Sequence, residues 1–364
     1  MRIAVYGSSL VSAYWNGAAT YYRGLFGALA AHGHAITFYE PDAFDRQNHR
    51  DIDPPEWATV RVWPATEDGL RRVTAEAARA DVVVKCSGVG VFDAELLALT
   101  MQQARTDAVR VFLDVDAPAT LAELDGDAGH PLRRTLPALD LVLTYGGGTP
   151  VVRAYRGFGA AECVPVYNAL DPATHHPVRP QARFACDLAL LANRLPDREA
   201  RVEEFFLRPA AMLPDRIFLL GGAGWEDKDV PGNVRVLGHV PTADHNALNA
   251  SACAVLNVAR DSMASVGFSP ATRVFEAAGA GACIITDAWE GLELFLQPDE
   301  EILVARDGAE VAAHLVALTP QRAYAIGTRA RARVEREHTY DRRAVLVDRL
   351  LRQAASRKQA GQAA

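Results

Sequence analysis

The chain has 364 residues, long for one core and fitting two domains of roughly 150–200 residues each. Hydrophobic residues make up 49% and charged residues 23%, an ordinary globular balance. The formal net charge of −7 argues against nucleic-acid binding, which uses a basic face, and no apolar run reaches the roughly 18 residues of a membrane span. The start runs straight into an expected strand at 2–6, so no signal peptide is expected. Cys86, Cys163, Cys186, Cys253 and Cys283 are scattered without a C-x-x-C pair. They read as reduced core thiols of a cytoplasmic protein.

The first half alternates apolar strands with amphipathic helices. Strands are expected at 2–6, 35–39, 59–63, 81–85, 109–114 and 140–144, and helices at 17–32, 68–79, 93–105 and 150–157. That alternation implies βαβ units and a parallel sheet. After the first strand comes a loop of Gly7, Ser8, Ser9 and Leu10, continuing through Tyr14, Trp15, Asn16 and Gly17. A dinucleotide fold wants G-x-G-x-x-G here, and the second and third glycines are missing. Glu40, near the end of the second strand, is a single match to an NAD-binding acid. Ser8, Ser9 and Asn16 suit a sugar or acceptor pocket instead, or a surface loop.

Asp114-Val115-Asp116 ends the strand at 109–114. Such a pair can ligate Mg²⁺ or Mn²⁺, orient or deprotonate an acceptor hydroxyl, or cap the next helix. Gly146-Gly147-Gly148 follows the next strand, either approaching a ligand closely or turning tightly into a helix.

Val164 to Pro180, rich in Pro, Asn and His, reads as a linker, and the alternation then restarts. Strands are expected at 186–191, 216–220, 234–237, 252–257, 282–286 and 301–305, with helices at 197–207, 243–250 and 270–280. Residues 321–351 read as one or two helices broken near His338-Thr339-Tyr340, and the tail from Arg352 reads as frayed. The domains are expected at 1–168 and 184–337, with a linker at 169–183 and a C-terminal helix and tail at 338–364. The fold class is α/β, two doubly wound Rossmann-like domains facing a central cleft, with ligands at the carboxyl ends of the strands.

In the second half the candidate ligand residues follow strands. Asn193 and Arg198 follow the first, and an arginine there can clamp a diphosphate. Gly222 lies in Gly221-Gly222-Ala223-Gly224-Trp225, a possible wall of a base pocket with Trp225 packing nearby. Asn257 and Arg260 end a further strand, before a loop at 261–269 of flexible composition. His175 and His176 show no zinc-type spacing, and His239 is as readily structural as functional.

The most informative stretch is Ser269-Pro270-Ala271-Thr272-Arg273-Val274-Phe275-Glu276 with Ala277 to Gly281. Ser269 reads as an N-cap, Pro270 as the first helical residue and Gly281 as the stop. The helix start would offer free N–H groups and a positive dipole end to a phosphate. Arg273 adds charge there, and Glu276, one turn on, can accept hydrogen bonds from sugar hydroxyls.

These pieces, in order, resemble a GT-B glycosyltransferase, and within that class the CgeB-like (spore maturation protein) family. The similarity rests on GSSLVSAYWNGAATYYRGL near the N-terminus, LDVDAPATL at 113–121, LVLTYGGG at 141–148, LANRLPDRE at 191–199, SPATRVFEAAGAG at 269–281, TDAWEGLE at 286–293 and EHTYDRRA at 337–344. The resemblance implies a donor-binding C-terminal domain, an acceptor-binding N-terminal one, a C-terminal helix crossing back to it, and chemistry without a metal. Many retaining members carry E-x7-E. Glu276 fits the second place, but Phe268 stands at the first, which leaves retaining or inverting chemistry open.

The expectation is therefore a cytoplasmic, metal-independent Leloir-type glycosyltransferase. It would move a sugar from a nucleotide diphosphate sugar to an acceptor hydroxyl on a glycan, small molecule or protein, with no cofactor, no resident metal and no nucleic-acid partner. Glu276 would hold the ribose. Arg198, Arg273, Ser269, Asn193, Gly222, Asn257 and Arg260 would line the donor side, and Ser8, Ser9, Asn16 and Gly147 the acceptor side. Asp114 or Asp116 would act on the acceptor, and domain closure would exclude water. The alternatives are a nucleotide-sugar epimerase, a non-catalytic sugar- or nucleotide-binding protein in envelope or spore assembly, and an NAD-dependent oxidoreductase.

Overall fold

The computed structural model describes residues 1–14 and 16–363; Trp15 of the N-terminal loop and Ala364 lie outside the described residues. The chain forms two compact units, Met1–Tyr167 with Tyr340–Ala364, and Asn168–Thr339.

In the first unit the chain runs β1 (Arg2–Tyr6), α1 (Ala19–Ala31), β2 (Ala35–Asp42), β3 (Ala58–Pro64), α2 (Glu67–Ala75), β4 (Val82–Cys86), α3 (Asp93–Gln103) and β5 (Val109–Asp114). It continues with α4 (Ala117–Gly126), α5 (Pro131–Thr135), β6 (Leu141–Thr144), α6 (Gly148–Gly157) and β7 (Cys163–Pro165). The sheet order is β3-β2-β1-β4-β5-β6-β7, and every pair is parallel. Ile3 sits opposite both Ile36 and Val82 in register. Helices cover a parallel sheet on both faces, so its central strands are largely apolar; β4 (VVVKC) is buried at every position, with its one charged residue, Lys85, paired with Asp93.

The second unit carries β8 (Cys186–Leu191), α7 (Pro196–Val202), α8 (Arg208–Met212), β9 (Phe218–Gly221), β10 (Val234–Gly238), α9 (Thr242–Ser251) and β11 (Ala252–Asn257). Then come α10 (Asp261–Val266), α11 (Thr272–Gly279), β12 (Ile284–Asp287), β13 (Leu303–Ala305), α12 (Gly308–Ala317) and α13 (Pro320–Glu337). Its parallel sheet has the order β10-β9-β8-β11-β12-β13. Its core gathers Leu188, Leu190, Phe206, Phe218, Leu256 and Ile285 with Trp225, whose indole N–H donates to the Ala192 carbonyl at 2.6 Å. Trp225 is therefore packed in the core, next to the glycine loop it follows.

The last helix, α14 (Tyr340–Ala363), belongs to the first unit. The tail expected to fray is helical. Ala354 is buried, Arg352 pairs with Asp348, and Arg357 reaches Glu162 at 2.8 Å, so packing and ion pairs hold a stretch of good helix formers. Tyr340 explains Gly24 of α1. A Cβ there would lie 2.2 Å from the tyrosine ring.

Several elements differ from expectation. The single helix at 197–207 is α7, a π-helical turn at Glu203–Leu207 and α8, with Pro209 in the first turn of α8. The flexible loop at 261–269 holds α10, anchored by buried Met263. The helix expected from Pro270 begins at Thr272, with Ala271 as N-cap. Ser269 does not cap it, because its buried hydroxyl donates to the Gly267 carbonyl at 2.9 Å. Asn168 Nδ2 donates to the Pro270 carbonyl at 3.0 Å, holding that residue outside the helix.

Candidate functional site

Arg198 lies in α7, Arg273 in the first turn of α11 and Glu276 one turn on. The Arg273 guanidinium is held down to about 10, first by burial, then by repulsion from Arg198, with Glu276 opposing both. It remains cationic at neutral pH. Two guanidiniums close enough to repel make a ready anion site. The N-cap Ala271 offers no side-chain acceptor to α11, whose positive dipole end lies in the turn that carries Arg273.

A tight loop delivers the chain to this point. Gly267 has φ +74°, and a Cβ there would lie 2.8 Å from Glu290 Cβ. Phe268 follows with φ +49°, a conformation that costs a non-glycine residue, and donates its N–H to the Glu290 carbonyl at 2.6 Å. The position where the first Glu of E-x7-E would stand is thus a strained turn.

Other donor-side candidates play supporting parts. Asn193 Oδ1 accepts from the Ala223 N–H at 3.0 Å, tying the loops after β8 and β9 together. Gly222 has φ +120°, and a Cβ would fall 2.1 Å from the Ala192 carbonyl oxygen, so only glycine fits. Asn257 is buried beneath the loops, donating to Thr286 Oγ1 at 3.0 Å, which in turn donates to Asp287 at 3.2 Å. Asp287, fully buried, also accepts the Ala259 N–H and an ion pair from Arg201. Burial pushes its carboxyl up, and Arg201 pulls it back. Arg260 reaches Asp197 of α7 at 2.6 Å. Arg194, the other arginine of that loop, is engaged by Glu199 and Asp227.

In the first unit Asp114 is fully buried at the end of β5. Its carboxylate accepts from Ser87 Oγ (2.8 Å), Thr120 Oγ1 (3.0 Å), the Asp116 N–H (3.0 Å) and the Tyr155 hydroxyl. Burial raises its pKa, and the hydrogen bonds oppose that rise. A carboxylate sealed by four donors cannot reach an acceptor, so the catalytic part assigned to Asp114 is corrected to a positioning one. It holds the start of α4 and the N–H of half-buried Asp116.

The acceptor-side candidates are turned inward. Ser8 Oγ donates to Asn16 Oδ1 at 2.9 Å, and Asn16 Nδ2 donates to the carbonyls of Ser9 and Ser12. Ser9 Oγ donates to Glu40, which lies within β2 and also accepts from Leu10 N–H and Gln47. Ser8, Ser9, Asn16 and Glu40 are all buried, so these side chains build the loop rather than face an acceptor. Gly147 precedes α6 with φ +89°, where a Cβ would strike Val151 at 2.0 Å; the triple glycine is a tight turn.

The fold assembles groups that spacing in the chain did not reveal. Ser87, Thr120 and Tyr155 converge on Asp114. His175, His245 and Glu276 bring one ligand atom each within 4.8 Å of one another.

Residues 198–351 match the model of the Glycosyl transferase-like family. No curated protein sequence matches the chain. Among solved structures, sucrose-phosphate synthase from Thermosynechococcus elongatus aligns over 97% of this chain and 98% of its own, with a TM-score of 0.69 at 16% identity. Anabaena HepE in complex with UDP and glucose aligns over 97% and 100%, with a TM-score of 0.66 at 13% identity. T4 phage BGT in complex with its UDP-glucose substrate aligns over 96% and 99%, with a TM-score of 0.63 at 12% identity. Among the described residues, no helix is long and apolar enough to cross a membrane. The two parallel sheets and their helices are the GT-B fold, and the match at 198–351 with these neighbours supports a GT-B glycosyltransferase.

Proposed function

We propose that this protein is a glycosyltransferase that transfers a sugar from a nucleoside-diphosphate donor to an acceptor hydroxyl. The observation that carries the reading is the mutually repelling Arg198–Arg273 pair beside Glu276 at the uncapped start of α11. In the mechanism, the two arginines and the first-turn N–H groups take up charge on the departing diphosphate. A pair of fixed cations does this without a metal, so the transfer is proposed to be metal-independent. Glu276 accepts hydrogen bonds from the ribose hydroxyls. Asp116, rather than the sealed Asp114, orients the acceptor hydroxyl. Because neighbours of the same fold were solved with UDP or UDP-glucose, UDP is the first nucleotide to try. The order of motifs along the chain is the ground for placing it in the CgeB-like branch, and the five free cysteines fit a reducing, cytoplasmic setting.

The test is calorimetric titration with UDP, GDP, dTDP and NAD, each with and without Mg²⁺. One nucleoside diphosphate should bind, with the same affinity whether or not Mg²⁺ is present. Glu276→Ala should weaken it by about 10- to 100-fold, the loss of hydrogen bonds to a charged group at about 1.5–3 kcal/mol, with unchanged circular dichroism. Binding of NAD alone, or unchanged affinity in Glu276→Ala, would overturn the reading.

A further inference from the structure

Three elements of the second unit meet at one point. Glu276 is on α11, His245 on α9, and His175 on the stretch leading into β8. Their ligand atoms lie within 4.8 Å of one another. The two imidazoles stack with centroids 6.4 Å apart. His175 is only 4% exposed, and its Nε2 is buried without a hydrogen-bond partner among the described residues. A buried ring nitrogen left in that state costs free energy unless a ligand supplies its partner.

His245 is arranged as a metal-ligating histidine would be. Its Nε2 lies 3.2 Å from the Val240 carbonyl oxygen. A carbonyl only accepts, so that nitrogen carries the proton and Nδ1 presents its lone pair. An outer hydrogen bond to a backbone carbonyl is the usual device for fixing a ligand's tautomer. The scaffold is firm: Asn246 Nδ2 donates to the Thr174 carbonyl at 2.8 Å, and the His175 N–H donates to the Asp171 carbonyl at 2.9 Å. Gly279, one turn beyond Glu276, lets this stretch pass close, since a Cβ there would lie 3.0 Å from the His175 carbonyl oxygen.

We infer that His175, His245 and Glu276 form a binding site for one zinc-class divalent cation, and that the bound cation excludes the nucleotide donor by engaging Glu276. Two imidazoles and one carboxylate select a borderline transition metal over Mg²⁺ or Ca²⁺, which take oxygen ligands, and leave a fourth position open. Metal–ligand bonds of about 2.0–2.1 Å place tetrahedral ligands roughly 3.3 Å apart, so the three side chains close inward on loading. Arg273 beside Glu276 opposes a dication, so the site loads from added metal rather than holding it through purification. The exclusion rests on the ribose role proposed for Glu276; the metal site itself does not.

The experiment uses the full chain after chelator treatment, titrated with ZnCl₂ and separately with MgCl₂ near neutral pH by calorimetry. One Zn²⁺ per chain and no Mg²⁺ heat are expected. His175→Ala and His245→Ala should each bind Zn²⁺ more than about 100-fold more weakly, since losing even an outer-shell partner costs roughly 10- to 100-fold. Co²⁺ added to the unaltered protein should give the intense visible absorption of a tetrahedral site, a readout independent of any variant's folding. Absence of Zn²⁺ binding, binding undiminished in a folded histidine variant, or the faint spectrum of octahedral Co²⁺ would overturn the site. UDP is then titrated with and without one equivalent of Zn²⁺. Weakened UDP binding supports exclusion. Zn²⁺ binding with unchanged UDP affinity overturns exclusion, and UDP affinity unchanged in Glu276→Ala instead overturns the ribose role while the Zn²⁺ result stands.

Discussion

Replacing Tyr155 with Phe deletes one oxygen and isolates one interaction. The tyrosine hydroxyl is buried and donates to the fully buried Asp114 carboxylate. A hydrogen bond to a charged group contributes about 1.5–3 kcal/mol, and its removal leaves Asp114 with three of its four donors. At roughly 2–4 °C per kcal/mol for a unit of this size, the first unit's melting transition should fall by about 3–12 °C at pH 7. The pH dependence is the sharper check. Burial raises the pKa of Asp114 above its unfolded value, and the Tyr155 hydroxyl works against that rise. A raised carboxyl binds more protons folded than unfolded, so its destabilising effect appears as pH climbs through the carboxylate range and vanishes below it. Without Tyr155 the pKa rises further. The difference between variant and parent should therefore be largest at neutral pH and shrink on acidification, read by differential scanning fluorimetry across a pH series. A loss below about 1 °C at pH 7, or one that grows as pH falls, would refute the assignment of Asp114 as an ionised carboxylate held by its donors.

Gly222→Ala should destabilise the second unit by about 1–3 kcal/mol or more, because the new methyl meets the Ala192 carbonyl at a positive φ; chemical denaturation that matches the parent would count against that geometry. His34, its side chain fully buried, bonds to Asp348 of α14 at 2.8 Å, and burial lowers its pKa. A depressed histidine binds fewer protons folded than unfolded, so its stability contribution is present above about pH 6.5 and is lost as pH falls below that value. His34→Gln should flatten the fall in the first unit's melting temperature between pH 7 and 5, and an unchanged slope would place the sensitivity elsewhere.

The sheets were the legible part, because parallel strands are buried on both faces and must be written as apolar runs such as Val82-Val83-Val84. The break before Tyr340 was legible too. Short helices were less so: α10 has one buried apolar side chain, too few for a period to show. The N-cap signal at Ser269 failed because the Gly267 carbonyl and the Asn168 amide claim that backbone first. Around the candidate site, residue type was readable and burial was not. Asp114 and Asp116 look equivalent in D-x-D. The neighbouring strand's Ser87 and the later helix's Tyr155 seal one and not the other, and only the strand order brings them there. His175 and His245 carry no metal spacing, so their meeting at Glu276 belongs to tertiary structure alone.

The second unit begins and ends at the same place. Leu170 donates its N–H to the His338 carbonyl at 2.7 Å and bridges to Thr339, so the two ends of Asn168–Thr339 are hydrogen-bonded neighbours. It is an insert closed by its own clasp, suited to excision as a single polypeptide or to rejoining with new termini. The first unit has the opposite character. Its α1 lies against α14, which follows the whole inserted unit in the chain, with Gly24 shaped to Tyr340 and His34 bonded to Asp348. During synthesis the inserted unit is therefore complete before its host can close, and a chain cut short after Thr339 would keep the later half folded while leaving the earlier half without its final helix.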